Sequence, residues 1–339
     1  MAIETLKLGL IGAGRIGRLH AEHVQRRMKD AQIAVITDAV PAAAAACAKD
    51  FGIPETAPDF RAILARKEIH GVVVCSPTDT HTQIIEEAAA AGKHVFCEKP
   101  IDADLARIDR ALAAVRQAGV ILQVGFNRRF DANFQRVRRA IVSGEIGTPH
   151  QIHVISRDPG PPPIEYVRRS GGLFMDMTIH DFDMVRFLAG DEVVEVYATG
   201  GVRVDPAIGE AGDIDTAVIL LKFQGGATGM IENCRKAVYG YDQRVEVLGS
   251  AGAIRIDNNY PNTAVVSTRD HVRRDLPLNF FMERYVESYL EEVRLFLEAI
   301  RTGAPSPLSG EEGRVPVQIA QAATRSLREN RPVALSEIK

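Results

Sequence analysis

Cysteine is scarce and scattered: Cys47, Cys75, Cys97 and Cys234 are the four in 339 residues, and no CxxC pair occurs among them. Neither a disulfide framework nor a cysteine-held metal is expected, and Cys75 and Cys97, in apolar runs, read as buried thiols of a reducing, cytoplasmic compartment. Charge of one sign is also lacking. A formal net charge of −3 and a pI near 6.3 give no broad basic field for nucleic acid or anionic lipid. No apolar tract approaches the length of a membrane span, and no basic segment precedes a long apolar one at the start, so neither a membrane anchor nor a secretory leader is expected. There is no GxSxG elbow for serine hydrolysis. Asp176, His180 and Asp181 could begin a metal cluster, but no HxH or HExxH accompanies them, and no metal is expected.

What is present is a regular alternation. With 46% of residues hydrophobic, the chain can bury two cores. Up to Gly125, continuous apolar runs ("LKLGLIGAG", "QIAVITDA", "GVVVCSP", "HVFCEKP", "ILQVGF") alternate with helical stretches, the pattern of parallel strands buried on both faces. From residue 126 the strand signals come in succession ("HQIHVIS", "VVEVYATGG", "TAVILLKF", "ATGMIENCR", "DQRVEVLGSAG", "AIRID", "TAVVST") and predict a largely antiparallel sheet with one exposed face. The expected fold is therefore α/β. Residues 1–125 form a doubly wound nucleotide-binding domain and 126–339 an α+β domain with a large open sheet, whose last helices can pack back on the first domain.

The first chemical signal is "GLIGAGRIG". Gly12, Gly14 and Gly17 form GxGxxG between a strand and a helix, with Arg15 and Ile16 inside the loop, so backbone can approach a pyrophosphate at the helix start. Asp38 ends the second strand about 20 residues past the third glycine, where an acid accepts from ribose hydroxyls and repels a 2′-phosphate. That points to NAD rather than NADP. In such a sheet the ligand crevice lies at the carboxyl ends of strands, which adds Ser76, Pro77, Thr78, His81, Glu98 and Lys99 to the cofactor side. A lysine at a strand end can also simply extend into water. In the second half, "FMDMTIHDFDMVRFLAG" reads as one helix on which Asp176 and His180, four residues apart, share a face, with Asp183 one turn on.

The glycine loop, the strand-end aspartate, "SPTDTH" and above all "EKP" resemble the glucose-fructose oxidoreductase, inositol dehydrogenase and rhizopine catabolism family, Gfo/Idh/MocA, over essentially the whole chain. The resemblance implies a Rossmann domain, a second domain with an open sheet, and hydride transfer between a nicotinamide and a sugar or cyclitol carbon. It assigns the catalytic triad to Lys99, Asp176 and His180. "GFNRRFD" and "YGYD" look like the inositol 2-dehydrogenase branch, which implies substrate contacts from Asn127, Arg129 and either Tyr239 or, preferred, Tyr241. "SRDPG" departs from the His-Arg-Asn-Pro of that branch, so Asp158 meets different hydroxyls. The expectation is an NAD-dependent oxidation of inositol to inosose by a homo-oligomer, dimer or tetramer. The alternatives are an aldose or anhydrosugar dehydrogenase of the same family and a non-catalytic NAD-binding sensor.

Overall fold

In the computed structural model, which describes residues 5–339, the chain divides into two units. One runs to Phe126 and includes Tyr289–Val315; the other comprises Asn127–Ser288 and Pro316–Lys339. Residues 1–4, on which the reading of the chain start partly falls, lie outside the described residues. No helix among the described residues is long and apolar enough to cross a membrane.

In the first unit, strands β1 (Leu6–Ile11), β2 (Ala31–Thr37), β3 (Glu55–Thr56), β4 (Gly71–Val74), β5 (His94–Glu98) and β6 (Leu122–Gly125) pair in the order β3-β2-β1-β4-β5-β6. Every pairing is parallel. The central strands are buried on both faces, as continuous valine, leucine and isoleucine runs require. Local signals bound the helices. Pro41 opens Pro41–Phe51 and left-handed Gly52 closes it, while Asp104 caps Leu105–Ala118 by accepting from the Ala106 and Arg107 amides. The core is completed from far along the chain: Val293, Phe296 and Leu297 of the helix Val286–Thr302 pack with Leu8, Leu10 and Phe96. The Leu308 carbonyl accepts from Val124 N at 3.1 Å, beside β6.

In the second unit, β7 (Pro149–Arg157), β8 (Val193–Gly201), β9 (Thr216–Phe223), β10 (Thr228–Cys234), β11 (Asp242–Gly249) and β12 (Gly252–Ile256) form one sheet with β15 (Val333–Ala334), in the order β12-β11-β7-β10-β9-β8-β15. β13 (Val265–Ser267) and β14 (Val272–Arg274) make a separate ribbon, so "TAVVST" leaves the main sheet. Only β7 and β10 pair in parallel. Burial alternates along β9: Ile219, Leu221 and Phe223 face inward, whereas Val218 and Leu220 are exposed, with Val194 and Leu248 also outside.

The single helix expected over Phe174–Gly190 is two. Leu173–Asp176 stops at Met177 and Ile179–Ala189 restarts. Thr178 sits in the break, its hydroxyl within hydrogen-bonding reach of the Leu173 carbonyl at 3.3 Å and of Asn233 Oδ1 at 2.5 Å, a competition for backbone groups that interrupts a helix.

Candidate active site

The first unit supplies a glycine loop built from backbone. Gly12, at φ 104°, could not carry a side chain: a Cβ would lie 2.6 Å from the Cys75 backbone. A Cβ at Gly17 would lie 2.0 Å from the Gly12 carbonyl, while around Gly14 nothing stands within 4 Å. Gly14 begins the helix Arg15–Arg27 with no side-chain cap, the arrangement that favours an anion at a helix start. Asp38 closes the loop, its carboxylate accepting from Ala13 N at 2.6 Å and from Val40 N at 2.8 Å. It remains partly exposed. Tight glycines, an open one between them and an acid at the second strand end fit a dinucleotide.

At the neighbouring strand ends, the Ser76 and Thr80 hydroxyls lie 2.7 Å apart, and Thr80 donates to the Pro77 carbonyl. His81 is buried, one ring nitrogen 2.8 Å from the Pro100 carbonyl and the other 2.8 Å from that of Ser76. It ties the two strand ends together. Burial lowers its pKa against the two carbonyl acceptors, which favour the charged ring. The Lys99–Pro100 peptide is cis. Glu98 turns inward to His20 Nε2 at 2.7 Å, and its carboxyl group covers Gly125, where a Cβ would meet it at 3.1 Å.

The second unit supplies side chains. Asp176 accepts from both terminal nitrogens of Arg235 at 3.3 Å and from the Tyr166 hydroxyl at 2.8 Å. Arg235 is 1% exposed, with Asp213 at 3.9 Å. His180 lies just past the helix break, partly buried. Asp158 is pushed up to about 6, first by burial, with Arg235 and Arg128 opposing and Asp176 and Asp181 adding. Behind these runs a buried network: Arg128 donates to Asp181, Tyr241 and Ser156, and Asn233 donates to the other Asp181 oxygen at 2.8 Å. Burial raises the Asp181 pKa and the Arg128 guanidinium opposes it. Asn127 is buried with no hydrogen-bond partner for its Nδ2. Tyr239 bonds Asp242 and Arg157 instead of joining this network.

Arg129, expected as a substrate contact, has a protein partner. Arg129 forms a buried ion pair with Asp183, bonding through Nε at 2.9 and 3.0 Å and through Nη2 at 2.7 Å. It therefore braces the Ile179–Ala189 helix; its neighbour Arg128 takes the place beside Tyr241. Asp183 likewise belongs to the scaffold. Sequence reasoning missed Arg235, which ends the stretch "ATGMIENCR" but carries no local signal of its partner 59 residues earlier.

Residues 6–126 match the oxidoreductase family described by its NAD-binding Rossmann fold, and residues 134–255 match the GFO/IDH/MocA C-terminal domain. The chain belongs to the Gfo/Idh/MocA oxidoreductase family. The uncharacterized oxidoreductase YrbE of Bacillus subtilis is 50% identical over 98% of this chain and 97% of its own length. The myo-inositol 2-dehydrogenase of Thermotoga maritima is 46% identical over 98% of this chain and 99% of its own. Among solved structures, the scyllo-inositol dehydrogenase of Lactobacillus casei, with bound NAD(H) and scyllo-inositol, superposes with a TM-score of 0.92 at 30% identity, covering 98% of this chain and 100% of that one. In this Gfo/Idh/MocA oxidoreductase the Rossmann unit binds NAD, and Gly12, Gly14, Gly17 and Asp38 are the residues that fit it.

Proposed function

We propose that this oxidoreductase oxidises a secondary ring hydroxyl of an inositol to the ketone. The observation that carries the reading is the polar set of the second unit, where Asn127 Nδ2 is buried without a partner beside a chain segment that delivers Arg128 to Tyr241 and Asp181. Buried donors left unmatched by protein suit a ligand covered in hydroxyls. The names of the relatives, inositol dehydrogenases, support the same class.

His180 takes the hydroxyl proton as general base. The Lys99 ammonium stabilises the oxygen as it becomes an alkoxide, and Asp176, held by Arg235 and Tyr166, orients the substrate. NAD, when bound, supplies the hydride acceptor. Asn127, Asp158 and Tyr241 contact or border the remaining hydroxyls.

The test is NADH absorbance against myo-, scyllo- and D-chiro-inositol, glucose and levoglucosan, then steady-state kinetics of Lys99→Met, His180→Ala and the pair on the best substrate. Each single change should cost on the order of a hundredfold in turnover. The pair should lose less than the product, because the two act on one hydroxyl. Near-wild-type turnover in folded Lys99→Met, or no reduction of NAD with any cyclitol, defeats the reading.

We also propose that a second copy covers the exposed face carrying Val194, Val218, Leu220 and Leu248. Light scattering that finds a single 37.0 kDa species at micromolar concentration refutes it. The four free cysteines support a reducing, cytoplasmic setting.

A further inference from the structure

At the ends of β4 and β5 in the first unit stand three side chains that the proposed proton and hydride steps do not use. His20 of the helix Arg15–Arg27, Cys75 after β4 and Glu98 at the end of β5 each offer a ligand atom, and these atoms lie within 4.8 Å of one another. The imidazole is fully buried, with Nε2 2.7 Å from Glu98 Oε1 and no hydrogen-bond partner for Nδ1. Cys75 and Glu98 are partly exposed and leave the trio open to an ion from solvent.

A fourth group faces the same place. On the helix Val286–Thr302, Tyr289, Glu292 and Phe296 follow at intervals of three and four residues and so share one face. The Tyr289 ring lies 6.0 Å from that of His20, and the Phe296 ring lies 5.9 Å from Phe96, which is itself 5.1 Å from His20. Glu292, between the two aromatics, is therefore turned toward His20. It is fully buried, and neither of its carboxyl oxygens has a hydrogen-bond partner. Its backbone carbonyl accepts from Gln123 Nε2 of β6 at 2.6 Å, which holds this turn of the helix against the sheet. A buried carboxyl group with both oxygens unmatched is costly, and a cation is the partner that would match it.

The donor types select the ion. Thiolate and imidazole favour a borderline metal such as Zn²⁺, whereas Mg²⁺ and Ca²⁺ take oxygen. Zinc bonds of about 2.0–2.3 Å set tetrahedral ligands about 3.3–3.8 Å apart, so the trio has to close by at most about 1 Å. The charges also balance. On binding, the Cys75 thiol releases its proton to solvent, and its thiolate together with the Glu98 carboxylate cancels the two positive charges, with His20 neutral.

We propose that His20, Cys75, Glu98 and Glu292 form a binding site for a zinc-class divalent cation, which clips the ends of β4 and β5 to the helices Arg15–Arg27 and Val286–Thr302. The ligands stand far apart in the chain, so the absence of a local cysteine or histidine pair, on which the expectation of no cysteine-held metal rests, says nothing of them. The site lies wholly within the first unit and does not depend on which polyol the enzyme oxidises.

The experiment uses the full chain without NAD, dialysed against a chelator, and compares wild type with Cys75→Ser, Glu292→Gln and the control Cys234→Ser. Co²⁺ added to wild type and to Cys234→Ser should give a thiolate-to-cobalt charge-transfer band and the visible bands of tetrahedral cobalt, and Cys75→Ser should lack the first. Calorimetry with Zn²⁺ should show release of a proton, an affinity lower by at least about a hundredfold in Cys75→Ser, and one lower by about tenfold in Glu292→Gln. The thermal midpoint should rise with zinc concentration in wild type and stay level in Cys75→Ser. If Cys75→Ser does not fold, wild type answers the same question: zinc should protect Cys75 from a maleimide, read by peptide mass, while Cys234 still reacts. No charge-transfer band in wild type, or one that survives in Cys75→Ser, or equal labelling of Cys75 with and without zinc, overturns the site. Wild-type zinc affinity in Glu292→Gln overturns the fourth ligand alone.

Discussion

Burying charge costs desolvation free energy, and the two units of this oxidoreductase meet that cost differently. The second unit buries ions in pairs. Arg128 with Asp181, Arg129 with Asp183, Arg235 with Asp176 and Arg284 with Asp131 bring partners from segments more than 50 residues apart. The first unit instead buries Cys97 and Glu292, and burial favours their protonated, uncharged forms. Paired ions fix direction, since each guanidinium presents a rigid fork to one carboxylate. Protonated groups cost less to bury but fix little. The contrast matches the proposed ligands: a ring of hydroxyls would have to be read by oriented donors and acceptors, whereas a dinucleotide would be held largely by backbone at a loop such as Gly12, Gly14 and Gly17.

The contrast is tested most severely at the one side chain on which the backbone-built half depends. Asp38 is anchored by the Ala13 and Val40 amides. Asp38→Ser removes both a charged acceptor for the ribose and the repulsion of a 2′-phosphate. A hydrogen bond to a charged group contributes about 1.5–3 kcal/mol, so the NAD dissociation constant should rise by about tenfold to a hundredfold, and discrimination against NADP should shrink. Fluorescence titration with both nucleotides measures this. Wild-type preference for NADP at equal concentrations would show that the first unit reads its cofactor by other means.

Legibility in the sequence follows the same division. The glycine loop, Asp38 and the strand ends at Ser76 and Glu98 could be read directly, because turn chemistry and apolar runs are local. That a parallel, doubly wound sheet precedes a largely antiparallel open one followed from the same patterns. What could not be read was pairing at long range. Nothing near Arg128 and Arg129 says which of two adjacent arginines turns to Asp183 and which to Asp181. The break at Thr178 depends on Asn233, 55 residues later. Glu292 is the exception. It sits at helical spacing between Tyr289 and Phe296, both buried, so the periodicity of "YLEEVRLF" already places an acid on the apolar face.

The smallest expected effect sharpens the comparison within the second unit, at Asp158. This acid has no arginine of its own: Arg235 is bonded to Asp176 and Arg128 to Asp181, so their charges oppose the effect of burial without cancelling it, and its carboxyl is pushed up to about 6. The sign follows from proton counting. Between the ordinary carboxylate range and pH 6 the folded protein holds a proton at Asp158 that the unfolded chain has released, so stability falls as pH rises through that window. The same titration changes what the site offers a polyol, from a neutral acid that donates and accepts to an anion that accepts only. The KM for the polyol should therefore change by about a fewfold between pH 5 and pH 7, with kcat moving less, since an interaction of this kind is made in both ground and transition states. Asp158→Asn, which keeps a donor and an acceptor at every pH, should flatten both the KM profile and the fall in thermal midpoint over the same range. Parallel profiles in wild type and Asp158→Asn would mean that Asp158 stays charged throughout, and the second unit would then contain a partly buried anion held without a partner of its own.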